Sequence, residues 1–442
     1  MTGQQVWRRT RTGRSRVPGR RGLVAFAALL AAVSVTGACA APLVGVPSGS
    51  TAAAVEVEAA PAVPAPEPCE VPDNRSRFEV ADPARVAMDA TAVQDAVEYA
   101  AARGAQSVRV YRHGCLVARS ANDAATEWSL MPTWSMTKGV VAMVTGRAVQ
   151  LGLLGLDDPI GDHVDGLDDA HGAITVRQLL TQTSGLRFAW ANDLNAAATG
   201  DSAALVLQRP FEADPGTQFI YAQTTVTALV AVVEAAVGED LQSFAQRELF
   251  APVGIARGEW AWQRDGVGRT QGFAFLDMTP RAMGRLGSLL LDDGTWNGQQ
   301  LLSADFIAQG AAGTEANPGY GFLWRTNAGE RHRASGYVEG DWLERRWVPA
   351  APADMFGLSG MFNQNVFVLP GLDMVVVRMG LPAGMFGDPV AEWEGERPAW
   401  EHHFFRTLLS GVLDEPVQDP GDWRPDPDRQ IVDLAHVIGI GF

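Results

Sequence analysis

Apolar residues recur every three to four positions through much of the chain, and this spacing predicts amphipathic helices. Gly238 follows the most apolar of these segments and is typical of the residue just after a helix end. Thr279 and Pro280 suit a helix start, because threonine caps backbone N–H groups and proline has no N–H group to leave unpaired. Helices are predicted over residues 91–103, 139–144, 174–180, 224–237, 279–291 and 400–413.

Short apolar runs bounded by turn residues predict strands near both ends of the chain. The predicted strands are residues 107–111, 116–119, 320–324, 365–369 and 374–378. The first two flank a turn at Gly114, and the last two flank Pro370-Gly371. Strands therefore come early and late, with helices between them. This order favours an α/β (α+β) fold, in which both ends of the chain build one antiparallel sheet flanked by helices and an all-helical domain is inserted.

The first 40 residues differ from the rest of the chain. Seven arginines and no acidic residue precede an apolar run from Gly22 to Ala38, and small residues follow at Ala38-Cys39-Ala40. A basic region, an apolar region and small residues in this order predict an export signal over residues 1–40. An uncleaved membrane anchor is the alternative, although seventeen apolar residues are at the short limit for a span.

Two details of this segment bear on where the mature protein resides. Arg20-Arg21 resembles a twin-arginine signal, and residues 36–39 resemble a bacterial lipobox with Thr36 where leucine is usual. We therefore expect an exported protein that is extracellular, in the cell envelope or periplasmic. It is either free or anchored by a lipid on Cys39.

The remaining chain divides by composition. Residues 41–76 are rich in Ala and Pro and predict an extended spacer. An α/β sheet domain is predicted over residues 77–150 and 275–415, a helical domain over 151–274 and a C-terminal tail over 416–442. Cys69 in the spacer and Cys115 in the first hairpin are an even pair, which an oxidising compartment favours as a disulfide. Two unrelated thiols are the alternative.

Charge and composition exclude several partners. Without the seven arginines of the export signal, 28 basic residues face 51 acidic ones, a net charge of −23. Such a chain, with no basic tract, repels nucleic acid and anionic lipid. Only His402 and His403 are close together among seven histidines, so we expect no metal site and no cofactor. Contact with a membrane is expected only through the signal or a lipid anchor.

The stretch Ser135-Met136-Thr137-Lys138 is the main candidate for chemistry. On a helix, this spacing puts Ser135 and Lys138 on one face, close enough to exchange a proton. A serine hydroxyl is a poor nucleophile until a base takes its proton, and a lysine kept neutral by burial can help to take it. In the first turn of a helix, Ser135 would also lie beside backbone N–H groups that favour an oxyanion.

Several segments in order resemble the serine β-lactamase and penicillin-binding-protein superfamily, in its class C-like branch of esterases, D-amino-acid peptidases and linear-amide hydrolases. Besides the nucleophile motif, residues 179–186 resemble a Leu-Leu-Thr-His-Thr-Ser-Gly-Leu segment of that branch, with Gln182 where histidine is usual. Residues 211–223 resemble the approach to the second motif, which here reads Tyr221-Ala222-Gln223. The resemblance covers about residues 107–409 and implies a β-lactamase/transpeptidase-like fold.

The resemblance also implies roles for single residues. Ser135 would be the nucleophile that forms the acyl-enzyme, and Lys138 its proton acceptor or electrostatic partner. Tyr221 would act as a second base and later protonate the leaving group, for which its pKa must be lowered from about 10. Which of Lys138 and Tyr221 takes the first proton stays open. Gln223 would hydrogen-bond a substrate amide or carbonyl.

The third motif departs from the superfamily, which usually has Lys-Thr-Gly or His-x-Gly there. Residues 356–364 match this segment, with Leu358 at the basic position and Gly360 kept. By analogy, the N–H group of Met361 would join that of Ser135 in an oxyanion hole. Without the cation, no anchor is evident for the carboxylate of a penicillin or of a D-Ala-D-Ala terminus. The chain thus resembles the Ser-Met-Thr-Lys sub-branch, which includes 6-aminohexanoate-dimer hydrolases and related esterases.

The sequence therefore predicts an exported serine hydrolase that cleaves a small ester, amide or peptide through a Ser135 acyl-enzyme. A catalytically silent relative that binds cell-wall fragments or a partner is the alternative, and the intact Ser135, Lys138 and Tyr221 argue against it. Substrate choice is expected to lie in the loops 187–200 and 340–354. Residues 341–347 are expected at the cleft rim, as a substrate lid or a surface loop.

Overall fold

The structure is a computed structural model that describes residues 63–73, 76–188, 193, 200–333, 342–381 and 397–424. All described residues lie in one compact unit, which spans Pro61–Phe442. The expected export signal, Cys39 and most of the expected spacer lie outside the described residues, as does the chain beyond residue 424. In the part that is described, no helix is both long and apolar enough to cross a membrane.

Short strands alternate with helices along the chain. The strands are β1 (Ala105–Arg112), β2 (Cys115–Arg119), β3 (Met131–Pro132), β4 (Trp260–Trp262), β5 (Leu276–Met278), β6 (Thr295–Trp296), β7 (Gln299–Gln300), β8 (Arg325–Thr326), β9 (His332–Arg333), β10 (Trp342–Leu343), β11 (Phe356–Gly360), β12 (Gln364–Leu369) and β13 (Met374–Gly380). Six of them form the main sheet in the order β2-β1-β13-β12-β11-β8. The register of β1 against β13 places Val110 opposite Val376, so the early and late parts of the chain meet at the sheet centre.

The predicted fold class is confirmed, because the main sheet is antiparallel and is assembled from both ends of the chain. Both predicted hairpins form, as β1–β2 and as β12–β13. Asp373 completes the second turn in the left-handed conformation, which aspartate tolerates better than most residues.

The predicted strand over residues 320–324 is wrong. The chain bends there, and only Arg325 and Thr326 pair with β11. Leu323 lies in the left-handed region at φ 58°, and its N–H group donates to the carbonyls of Leu180 and Gly321. The apolar run is thus buried as a turn against the end of a helix, which the apolar pattern alone does not distinguish from a strand.

Helices cover both faces of the main sheet. They are α1 (Ala90–Ala101), α2 (Asp123–Thr126), α3 (Met136–Gln150), α4 (Asp169–Gly172), α5 (Val176–Leu180), α6 (Ser202–Val206), α7 (Thr224–Val237), α8 (Leu241–Ala245), α9 (Pro280–Leu291), α10 (Ala304–Ala311) and α11 (Arg397–Ser410). Helices α1 and α11 pack together in one apolar core, whereas α3 and α9 lie in the other. Helices α4 to α8 follow α3 in the chain, and α5 and α7 pack against each other beside α3.

A disulfide joins Cys69 to Cys115, with an S–S distance of 2.05 Å, as the even cysteine pair predicted. The N–H group of Cys69 also donates to the carbonyl of His113 at 2.8 Å, and that of Glu67 to Arg85 at 2.9 Å. The described end of the expected spacer is therefore held against the first hairpin.

Candidate active site

Ser135 lies at the start of α3, where the chain arrives from the small sheet β3-β5-β4. Thr133 fixes this approach, because its N–H group and its hydroxyl both donate to the carbonyl of Leu276, at 2.9 and 2.6 Å. Thr137 adds a bond from its hydroxyl to the carbonyl of Trp134 at 2.6 Å. The Ser135 side chain makes no capping bond to the helix and is partly exposed, so its hydroxyl can face a substrate.

Lys138 lies one helical turn later and is fully buried. Its Nζ donates to Ser135 Oγ at 3.0 Å, to Gln223 Oε1 at 2.7 Å and to the carbonyl of Phe273 at 3.0 Å. Burial lowers the pKa of Lys138, although the nearby Tyr221 and Asp193 oppose this shift by favouring the charged amine. The spacing of Ser135 and Lys138 thus gives the contact that the sequence predicted.

Tyr221 closes the cluster from the segment before α7. Lys138 Nζ lies 4.8 Å from the centre of its ring. Burial would raise the pKa of Tyr221, but the charge of Lys138 and the interaction with the Ser135 hydroxyl outweigh burial, so the pKa is lowered. The structure therefore brings Ser135, Lys138 and Tyr221 together.

Gln182, at the position where histidine is usual in the branch, holds the Tyr221 segment in place. Its side-chain Oε1 accepts from the N–H group of Ala222 at 2.7 Å, and its backbone carbonyl accepts from Ile220 at 2.9 Å. Its Nε2 donates to Thr225 at 3.3 Å. Gln182 thus bonds residues on both sides of Tyr221.

Gln223 is oriented by Lys138, since its Oε1 accepts from the buried amine. Its Nε2 is buried and has no hydrogen-bond partner among the described residues. A buried donor without a partner is costly, so this amide is suited to a substrate acceptor. The arrangement fits the role expected for Gln223.

Sequence reasoning missed Asp193. This fully buried carboxylate accepts from the N–H groups of Gln223 at 3.1 Å and Thr224 at 2.8 Å through Oδ2, and it pairs with Arg209 through Oδ1. Asp193 therefore caps the start of α7 from a distant part of the chain. One signal could have indicated such a residue, because Gln223 at the cap position is not a favoured capping residue.

The third motif lies on β11, directly beside the nucleophile. Leu358 is fully buried and packs on α3, where a Cβ at Gly139 would come within 2.5 Å of its side chain. A Cβ at Gly360 would lie 2.3 Å from the carbonyl of Thr133 and 3.1 Å from the backbone nitrogen of Ser135. Glycine is needed here for close approach, and it brings the following residue, Met361, to the start of α3.

No group of three or more His, Cys, Asp or Glu residues in the described ranges is placed to hold a metal ion. His402 instead bonds to the carbonyl of Gly421 at 2.9 Å. The chemistry that the described site can support is nucleophilic attack by Ser135, with a proton acceptor at Lys138 or Tyr221 and backbone donors nearby.

A comparison with protein families identifies the family of this chain. The model of the family described as beta-lactamase matches residues 90–380, about two thirds of the chain. No curated protein matches the chain.

Solved structures share the fold at low sequence identity. A Bacillus anthracis protein described as a candidate 6-aminohexanoate-dimer hydrolase superposes with a TM-score of 0.54 and 18% identity, over 69% of this chain and 81% of that one. EstCE1, a hydrolase with promiscuous acyltransferase activity, superposes with a TM-score of 0.51 and 18% identity, over 72% of this chain and 98% of that one. An octameric penicillin-binding protein homologue from Pyrococcus abyssi superposes with a TM-score of 0.50 and 16% identity, over 74% of this chain and 78% of that one. Likeness at these identities shows the fold alone.

Proposed function

Because this chain belongs to the beta-lactamase family, a family of serine hydrolases, we propose that it cleaves an ester or amide bond through an acyl-enzyme on Ser135. One observation carries the proposal: the hydroxyl of Ser135 lies 3.0 Å from the amine of the fully buried Lys138, and this amine lies 4.8 Å from the ring centre of Tyr221. A binding protein would have no need for a buried amine and a neighbouring phenol beside a partly exposed serine.

The proposed reaction begins when Ser135 Oγ attacks the carbonyl carbon and its proton passes to the Lys138–Tyr221 pair. The N–H groups of Ser135 and Met361 would stabilise the oxyanion, and Gln223 Nε2 would bind a substrate acceptor. The leaving group departs with a proton from Tyr221, and water then attacks the acyl-enzyme by the reverse proton route. The net reaction is hydrolysis, with Ser135 regenerated.

We propose linear esters and amides as substrates in preference to penicillins and D-Ala-D-Ala peptides. Leu358 occupies the position that carries a cation elsewhere in the superfamily, and it packs into the core. No side chain at that position can therefore pair with a substrate carboxylate. The fold likeness to a hydrolase that is also an acyltransferase is compatible with this choice, but it does not select a substrate.

We further propose that the protein is exported, free or lipid-anchored at Cys39, and that it acts on small molecules and not on nucleic acid. The Cys69–Cys115 disulfide supports an oxidising compartment. Mass spectrometry of the protein from its own host should find a mature N-terminus near residues 39–41 or a lipid on Cys39. Recovery of the full-length chain from the cytoplasm would contradict export.

A fluorophosphonate probe tests the nucleophile directly. Ser135 should be labelled in the wild-type protein, and Ser135→Ala should remove the label without changing the circular dichroism spectrum. The purified protein should then be screened against aryl esters, linear amides, D-amino-acid amides and a chromogenic cephalosporin. Turnover of esters or linear amides supports the proposal. Folded protein that is neither labelled nor active would favour the silent, ligand-binding alternative.

A further inference from the structure

Three large apolar residues near Ser135 have left-handed backbone, which β-carbon sterics disfavour for such residues. They are Trp134 at φ 50°, Phe275 at φ 69° and Phe362 at φ 61°. Among the described residues, this conformation otherwise falls on glycines, on Leu323, and on the small or polar residues Ala87, His113, Gln182, Asp293, Asn297, Asn363 and Asp373. Strain of this kind persists where the surrounding structure enforces it, and it concentrates at functional sites.

Chain neighbours and backbone contacts connect these three residues to the segment that carries the nucleophile. Trp134 directly precedes Ser135, and its ring is 5.2 Å from that of Phe362 and nearly perpendicular to it. Phe275 precedes Leu276, whose carbonyl holds Thr133 in the approach to α3. All three side chains are partly or largely exposed, with Phe275 at 37%. They therefore offer apolar surface to a substrate that reaches Ser135.

Their positions along the chain relate these rings to the acyl group. In the proposed reaction, the N–H groups of Ser135 and Met361 hold the carbonyl oxygen, and the acyl substituent is bonded to the same carbon. Trp134 is the neighbour of one donor, and Phe362 is the neighbour of the other. The acyl substituent therefore leaves the carbonyl carbon beside the two segments that carry the Trp134 and Phe362 rings.

We propose that Trp134, Phe275 and Phe362 form an apolar acyl wall, and that the substrates carry an uncharged, apolar acyl group. This inference rests on the proposed hydrolase function and deepens it by naming a substrate class. Rings without charged partners gain from burying methylene groups and penalise a buried carboxylate.

A cation beside the acyl group would instead favour a negatively charged substrate, and the described cation to consider is Arg325. The charge of Arg325 contributes to lowering the pKa of Tyr221. Its guanidinium group, however, lies 5.7 Å from the ring of Trp347, which belongs to the core on the α1–α11 face of the sheet. Arg325 therefore has a described contact in that core, and none of its described contacts is with Trp134, Phe275 or Phe362.

Two esters of matched shape test whether the enzyme prefers an uncharged acyl group. The p-nitrophenyl esters of adipic acid and of 6-methylheptanoic acid differ only in a terminal carboxylate or isopropyl group, and rates without enzyme are subtracted. We expect kcat/KM to be at least tenfold higher for the neutral ester. We also expect kcat/KM to rise at least tenfold from the acetyl ester to the hexanoyl ester, since each buried methylene group raises kcat/KM by about fourfold.

Phe362→Asn tests the wall itself. Asparagine tolerates left-handed backbone better than phenylalanine, so the variant removes the ring without requiring an unfavourable fold. The hexanoyl-to-acetyl ratio of kcat/KM should fall at least fivefold. Trp128→Asn is the matched control, because it removes a ring that is 51% exposed and stacks on Arg281. The hexanoyl-to-acetyl ratio of kcat/KM in Trp128→Asn should equal that of the wild type.

The outcomes separate the two claims. Equal or faster hydrolysis of the adipate ester, or an unchanged ratio in Phe362→Asn, overturns the acyl wall and leaves the hydrolase assignment intact. Absence of hydrolysis of every ester, together with absence of probe label on Ser135, overturns both.

Discussion

At the scale of single residues, the proposed chemistry depends on how two buried groups share protons. Burial lowers the pKa of Lys138, while the charge of Lys138 lowers the pKa of Tyr221. Each shift therefore depends on the protonation state of the other residue, and the two groups titrate as a pair. Removing either partner should change the pair as a whole.

The Tyr221→Phe variant tests the proton route. It keeps the ring and its packing but removes the phenolic proton, so the rate on an amide should fall by about a hundredfold or more. The loss should be smaller for an activated aryl ester, whose leaving group needs no proton. Steady-state kinetics on both substrates measure the difference.

Tyr320→Phe is the matched control for this experiment. The ring of Tyr320 is 5.8 Å from that of Tyr221, and burial together with Tyr221 raises its pKa well above the usual value, so it stays neutral. This variant should keep most of the amide activity. An amide rate equal to that of the wild type in Tyr221→Phe would refute the assigned mechanism.

At the scale of elements, the start of α7 connects a structural feature to the chemistry. Asp193 caps this helix at Gln223 and Thr224, and Gln223 in turn bonds Lys138. The same carboxylate raises the pKa of Lys138 against the effect of burial. Asp193, which caps α7, therefore also influences the charge of the buried Lys138.

The Asp193→Asn variant separates these two effects. The amide oxygen can still accept from the helix N–H groups, but the negative charge is lost, so the pKa of Lys138 should fall further. The alkaline limb of the pH–rate profile, where the pair loses its last proton, should move to lower pH. Asp240→Asn is the control, since Asp240 caps α8 and pairs with Arg264 in a similar way. An unshifted profile in Asp193→Asn would contradict the electrostatic role.

The antiparallel strand pair β9–β10 contains a histidine that predicts acid sensitivity. His332 is buried, its Nδ1 bonds to the carbonyl of Arg345 at 2.8 Å, and burial lowers its pKa to about 3. The unfolded chain binds this proton below about pH 6.5, whereas the folded protein does not. The free energy of unfolding should therefore decrease as pH falls from 6.5 towards 3.

This contribution amounts to about 2 kcal/mol between pH 7 and pH 5. The His332→Asn variant keeps a donor for Arg345 but cannot take up a proton. Its loss of stability over this range should be smaller than that of the wild type by about this amount, as measured by urea unfolding at the two pH values. Equal losses in both proteins would show that His332 is protonated in the folded state.

At the scale of the whole molecule, the disulfide ties the N-terminal segment to the main sheet. It bridges 46 positions in sequence, from Cys69 to Cys115 on β2. A parallel bridge between Val80 and Leu116 adds a second attachment at the same strand. The described residues around Cys69 and Val80 are thus attached to the folded unit.

Replacing both cysteines by serine should lower the free energy of unfolding by about 2–4 kcal/mol, because the cross-link restricts the unfolded chain. Urea unfolding of the variant and of the oxidised wild type measures the change. The Ser135 label should persist, since Cys69 and Cys115 lie outside the described site. Two free thiols in the unreduced, unfolded wild type would contradict the disulfide.

Several features followed from the sequence because they depend on neighbours in the chain. The helix from Thr224 to Val237 and the hairpin β12–β13 have spacing and turn residues that act locally. Ser135 and Lys138 meet because three residues make almost one helical turn. The resemblance added Tyr221, which lies too far along the chain for any local rule to place it beside them.

The tertiary structure decided what depends on contacts between distant segments. An apolar run at Tyr320–Trp324 is compatible with a strand, and only packing against Leu180 turns it into a bend. Asp193 reaches α7 across thirty residues, and the buried Nε2 of Gln223 is directed by Lys138. The sequence determined which chemical groups are present and on which elements they lie. Burial and hydrogen bonds between distant segments arise only when those elements pack together. They determine the pKa values of the site and which buried donors are left for a substrate.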